Sequence, residues 1–234
     1  MNMAFFARLV QLVRLVRELC ALPVAQLRFD LTRHPEQRRI YELFTKPHPR
    51  FRLVRNKTLG IALVNLRCYH NMHDYLREVR FSGHAGPQRK KALARGYTVR
   101  TIDRNQFVDA IHDINISAPT RQGRDMDSHY RVKKTCYDEP RYAATWGVFD
   151  IHDRLAAYCV VGFYGNFAAT DQLLGYKTTH GIMYLLLSEI ICQLIERQRL
   201  DFFMYDTFLG AKPGLRDFKR RTGFRPYRAC YLAA

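Results

Sequence analysis

The chain has 234 residues, 47% of them hydrophobic and 13% aromatic, and 38 Lys+Arg against 21 Asp+Glu give it a net charge of +17. That composition supplies the core of one large domain, or of a medium one with an extension, and excludes a chain disordered throughout. The absence of a run of about 18 uncharged apolar residues argues against a spanning helix, and six cysteines never closer than 23 residues apart, with no paired Cys/His spacing, argue against a zinc or other metal site.

The charge is lopsided. Residues 1–100 carry 20 basic and 6 acidic residues, a net of +14, whereas residues 101–234 carry 18 and 15, a net of +3. A field of this kind favours a polyanionic partner: RNA, an acidic carrier protein or an anionic membrane face. The apolar neighbours of the cysteines predict buried thiols in a reducing cytoplasm.

In chain order, "MNMAFFARLVQLVRLVRELCALPVAQL" opens the chain. Arg8, Arg14 and Arg17 interrupt it, so it lacks the continuous apolar block of a secretory signal. Phe5, Val10, Leu12, Val13, Leu15 and Val16 predict a basic amphipathic helix ending near Pro23, which lies on an anionic membrane or partner, or packs on the chain's own core. "TRHPEQRRIYELF" predicts a second short helix capped by Thr32, and "TKPHPRFRLVRNK" an extended basic stretch. These read as a basic helical extension over 1–45 ahead of a domain over 46–234. In that domain, "LGIALVNLRCY" predicts a strand and "NMHDYLREVRF" a helix. "SGHAGPQ" reads as a loop, and "RKKALARGYTVRTID" as a helix ended by Gly96 and then a strand.

Further on, "NQFVDAIHDINISA" predicts a helix and "PTRQGRDMDSHY" a polar loop. Two strands about a turn at "DIHD" follow, with room for a third short one. "HGIMYLLLSEIICQLIERQRL" predicts a long helix, "DFFMYDTF" a strand, "GLRDFKRRTG" a helix and "FRPYRACYLA" a final strand. The order is that of an α/β domain. Leu215, Phe218 and Phe224 are the expected core anchors of its last elements, with Gly223 ending the helix.

Over residues 97–234 this order, with "GIMYLLLSEII", "FFMYDTF" and "GLRDFKRRTGFRP" in sequence, resembles the GNAT N-acyltransferase superfamily. Within it, the stretch looks most like the Fem-type branch, whose members transfer amino acids from aminoacyl-tRNA to an amine. The resemblance implies a splayed mixed sheet flanked by helices, with the activated donor lying where two parallel strands part. It places donor binding on Thr178, Thr179, His180 and Gly181, where the backbone N–H groups at a helix start face phosphate. Acetyl-CoA-dependent members carry a second small residue two positions on, where this chain has Met183, a departure that weighs against acyl-CoA.

The chemistry so implied is acyl or aminoacyl transfer to an amine. The donor is aminoacyl-tRNA, acyl carrier protein or acyl-CoA, acting as co-substrate with no tightly bound cofactor. No G-x-S-x-G elbow and no cysteine dyad is present, which favours direct transfer in a ternary complex. The resemblance makes Lys219 a contact to phosphate or to the reacting centre. If Phe218 is buried, Lys219 faces either the cleft or solvent. Tyr205 and Asp206 end the strand beside the parting, and alternation turns at most one of them inward. Asp206 either deprotonates or orients an ammonium, or caps a turn. Arg121, Gln122 and Arg124, with Asn115 and Ser117 upstream and Tyr130 downstream, form a candidate substrate clamp; the alternative is a surface network with Asp125 and Asp127. A non-catalytic RNA- or membrane-binding module on the same scaffold is the competing reading. The expected setting is the cytoplasm, with or without peripheral contact to a membrane.

Overall fold

Val24–Phe29 alternates strictly, with Ala25, Leu27 and Phe29 buried and Val24, Gln26 and Arg28 turned to solvent. That period of two makes an edge strand with one wet face. In the computed structural model, which describes residues 10, 17–49, 52, 54–81, 85–121 and 124–233, this strand (β1) pairs in parallel with Arg225–Ala233 (β10), Val24 opposite Arg228 and Phe29 opposite Ala233. The result corrects the expected extension over 1–45. Residues 17–21 are helical (α1), but residues 24–29 belong to the main sheet. Phe29 sits among Tyr41, Phe44, Tyr164, Phe167 and Tyr231, with ring centroids 5.1–6.2 Å away. Arg38–Thr45 (α2) covers this cluster through Phe44. Most of the remaining N-terminal amphipathic stretch lies outside the described residues.

The remaining strands are Ile61–Asn65 (β2), Thr98–Ile102 (β3), Ala143–Phe149 (β6), Leu155–Tyr164 (β7), Phe167–Gly175 (β8) and Phe202–Thr207 (β9). The eight-stranded order is β1-β10-β2-β9-β8-β7-β6-β3. Only β1–β10 and β8–β9 are parallel; the other neighbours are antiparallel. The short third strand of the sequence reading is the nine-residue β8.

Parity along β7 divides the layers. Ala157, Cys159 and Val161 face Met72–Phe81 (α3), Ala85–Ala94 (α4) and Ile182–Arg197 (α7). Tyr158 and Val160 face Val108–Ile116 (α5) on the other side. Helix α4 begins four residues earlier than "RKK" suggested, because Pro87 falls in its first turn, where a missing N–H costs nothing. The predicted polar loop is a two-residue hairpin, Thr120–Arg121 (β4) with Arg124–Asp125 (β5), and then a single turn, Ser128–Arg131 (α6). Pro213–Arg221 (α8) lies between β9 and β10. Cys159 and Cys192 are buried as expected, but Cys20, Cys68, Cys136 and Cys230 are exposed.

Strands β8 and β9 pair only at Phe167↔Phe202, Ala168↔Phe203 and Ala169↔Met204, then part. The cause lies two residues on. Val160 pairs with Gln172 and Val161 with Thr170, so Asp171 is an extra residue, a bulge that bends β8 away. Since β1 is integral to the fold, Phe29→Ala should cost about 3–5 kcal/mol in urea unfolding, the range for emptying a buried aromatic site. A loss below about 1 kcal/mol would return residues 24–29 to a dispensable extension.

Candidate active site

Helix α7 starts on Gly181 in the left-handed region (φ +82°), with no side-chain cap over its first turn. A Cβ here would stand 2.3 Å from the Gln88 carbonyl oxygen, so the close approach of α4 demands glycine. The open N–H groups of this first turn border a cavity of about 810 Å³ on the parted strands. Thr178, Thr179 and Gly181, read from the sequence as donor-binding, line it. His180 does not: its Nδ1 lies 2.8 Å from the Tyr97 hydroxyl, which fastens the loop beside β3. Lys91 and Lys177 add positive charge, and no carboxylate among the described residues lines this cavity. Leu173, Met183, Tyr184, Leu215 and Phe218 make up its apolar lining. Met183 takes the room left by Gly175, where a Cβ would come within 2.8 Å of its sulfur.

A second cavity, about 250 Å³, has the opposite character. Asp125, Asp127, Asp171 and Asp206 line it with Lys57, Lys219, Tyr130 and Gln172. Tyr205, Leu173 and Leu215 line both cavities and so form the wall between them.

The apolar assignment on α8 holds in part: Phe218 packs on the main core, but the fully buried side chain of the helix is Lys219. Lys219 is 1% exposed, whereas Leu215 and Phe218 are only partly buried and face the larger cavity, Phe218 edge-on to Tyr184 at 4.7 Å. The ammonium of Lys219 donates to the carbonyls of Tyr205 (2.7 Å) and Thr207 (2.6 Å) and sits 4.3 Å from the Tyr205 ring centre. Burial outweighs the pull of Asp206 and pushes this ammonium down to about 8. Phe224 is buried and Gly223, at φ +92°, ends the helix, both as expected.

Tyr205 and Asp206 diverge as alternation requires. The Tyr205 ring is packed on Phe224 between the cavities, and burial raises its phenol well above the ordinary value, so it is protonated at neutral pH. Asp206 is strained at φ +49° and half open to solvent at the smaller cavity. Partial burial would raise its carboxyl, but Lys57, 2.9 Å away, and then Lys219 outweigh that and hold it below the ordinary value.

The clamp is only partly assembled. Asn115 is buried and accepts the Tyr158 hydroxyl at 2.7 Å, and Ser117 donates back to the Ile114 carbonyl at the end of α5. Neither is among the residues lining the two cavities. Gln122 lies outside the described residues, and of Arg121 and Arg124 only the backbone pairing is described. Tyr130 lines the smaller cavity and stacks on His129. Sequence reasoning missed Lys57, Asp171 and Lys91. The first two depend on a strained turn and a bulge, which leave no periodic signal.

No family model and no curated protein matches the chain. Among solved structures, FemX is similar at 11% identity with a TM-score of 0.54, over 72% of this chain and 59% of FemX. L-PGS from Bacillus licheniformis aligns at 15% identity and a TM-score of 0.43, over 72% of this chain and 59% of that one. A GCN5-related N-acetyltransferase from Kribbella flavida aligns at 14% and 0.39, over 57% and 48%. The chain thus spans about three fifths of the first two. The likeness to FemX shows the fold: the splayed mixed sheet flanked by helices that the C-terminal half predicts. No helix among the described residues is long and apolar enough to cross a membrane.

Replacing Lys219 by Met strands two carbonyls, which should cost about 2 kcal/mol at pH 7 in denaturant unfolding. The gap should widen towards pH 10. Folded Lys219 sheds its proton near 8 while the unfolded side chain keeps it to about 10.5, so stability from this group rises with pH across that window. A gap that stays flat or narrows would contradict the buried ammonium.

Proposed function

We propose that the chain is an N-acyltransferase that moves an acyl or aminoacyl group from an activated donor to an amine by direct transfer in a ternary complex. The observation that carries this reading is the pair of oppositely charged cavities meeting at Tyr205, where β8 and β9 part. A donor with a phosphate-bearing arm suits the larger cavity, where the α7 N-terminus, Lys91 and Lys177 meet anionic charge and the apolar wall takes the acyl or aminoacyl portion. An ammonium-bearing small molecule suits the smaller cavity and its four carboxylates. Aminoacyl-tRNA or an acidic acyl carrier protein fits the basic first hundred residues; acyl-CoA fits less well, because Met183 crowds the helix start. Such donors place the reaction in the cytoplasm.

In the step itself, the amine nitrogen forms a bond to the donor carbonyl carbon, the acyl bond to the donor oxygen or sulfur breaks, and the amine gives up a proton. Asp206 and Asp171 hold the acceptor as its ammonium, and one of these carboxylates takes the proton that frees the nitrogen lone pair. The second nitrogen proton replaces the one that Tyr205 gives to the departing oxygen or sulfur. Tyr205, kept neutral by burial, is placed to donate its phenolic proton towards the oxygen or sulfur that accumulates charge. The Lys219 ammonium fixes the backbone that carries both residues and adds a positive field beside them.

Intact mass spectrometry tests the reading. Charged tRNA, acyl carrier protein and acyl-CoA are each offered with a pool of amines, and one of them should yield an N-acylated product. Tyr205→Phe should lower turnover about 100-fold with little change in donor binding. If no donor yields product while tRNA merely binds in a salt-dependent way, the chain is a binding module on this scaffold.

A further inference from the structure

The stretch before β2 brings one side chain into the smaller cavity that no sequence motif marked. Lys57 Nζ lies 2.9 Å from Asp206 Oδ1. Both residues are non-glycine and both occupy the left-handed region, Lys57 at φ +48° and Asp206 at φ +49°. Two such turns facing each other across one ion pair are held from outside. The Tyr231 hydroxyl, from β10, donates to the Lys57 carbonyl at 2.8 Å, and the Lys57 ammonium sits 5.1 Å from the centre of the Phe44 ring, from α2. The lysine is thus seated on β10 and α2, both packed with the N-terminal strand.

The charges around Asp206 explain what the lysine does. Asp171 from the β8 bulge, Asp125 from the hairpin and Asp127 at the start of α6 line the same cavity. Lys219 of α8 attracts Asp206, Tyr130 and Tyr205 line the same cavity, and burial keeps the Tyr205 and Tyr231 phenols protonated. Without Lys57, an exposed aspartate among three others would turn to solvent or take up a proton. With it, one carboxylate is aimed and stays ionised. The same ammonium also works on Lys219 as a like charge and lowers it further.

We propose that Lys57 is a positioning residue of the acceptor cavity: its ammonium fixes the Asp206 carboxylate in the wall, where that carboxylate meets the cationic amine. This rests on the acyltransferase reading only in naming the amine as the cavity's occupant. The charge coupling among Lys57, Asp206 and Lys219 is independent of any activity.

The test uses the full chain with Lys57→Met, which keeps the apolar stem over Phe44, and Lys57→Arg, which keeps the charge. Carboxyl ¹³C NMR follows Asp206 and ammonium NMR follows Lys219, and 1,4-diaminobutane is titrated as the probe amine. In Lys57→Met both Asp206 and Lys219 should titrate at higher pH than in the wild type, and diamine binding should weaken about tenfold, as for the loss of one charge-assisted hydrogen bond. Lys57→Arg should restore all three. An Asp206 titration unmoved in Lys57→Met, or moved equally in both variants, overturns the proposal. If the titrations shift and recover but diaminobutane binds none of the proteins, the acceptor reading of the cavity falls and the proposal with it, by a different signature.

Discussion

Two parallel strands that part inside a sheet leave backbone groups without partners, and a buried backbone group without a partner is costly. Beyond Ala169↔Met204, β9 has lost β8, and its pairing with β2 shifts register between Ile61 and Leu63. The carbonyls of Tyr205 and Thr207 in this stretch take their hydrogen bonds from the ammonium of Lys219. A charge 1% exposed is the means by which the fold keeps its gap open. The bulge at Asp171 turns β8 one way and the Lys219 clamp holds β9 the other; both cavities exist because of that pair of constraints.

The consequences reach the chemistry. The wall between the cavities is the Tyr205 ring, whose backbone Lys219 holds. Asp206 follows directly and projects into the smaller cavity from a strained turn. The larger cavity is lined by lysines and apolar side chains, while the smaller one concentrates carboxylates in a chain of net charge +17. A uniformly basic nucleic-acid-binding surface needs no such contrast, whereas the proposed transfer between two substrates of opposite charge does.

The C-terminal half was legible because its signals are local. The 3.6-residue period of α7, glycines at 181 and 223, and the apolar run of β9 are each written within a few residues. The burial of Lys219 ahead of Phe218 has a physical cause: α8 is seated by two strand carbonyls, a polar demand that an apolar pattern does not register. Strand β1 was hidden for another reason. "VAQLRF" alternates, but it follows an amphipathic helical pattern directly, and its partner lies some 200 residues away in β10. Of the candidate site, Thr178, Thr179, Gly181, Tyr130, Tyr205, Asp206 and Lys219 gather around the parted strands. Asn115, Ser117 and His180 are polar residues in the right neighbourhood, but their hydrogen bonds are spent on holding the scaffold.

The claim that donor and acceptor approach the gap from opposite cavities is most directly tested by amide hydrogen exchange. The protein is loaded separately with a phosphate-bearing donor fragment, 4′-phosphopantetheine, and with 1,4-diaminobutane. The account predicts that the first slows exchange at the start of α7, residues 182–185, and that the second slows it over 125–130 and 170–174. Protection of the same segments by both ligands, or of neither set, would contradict it.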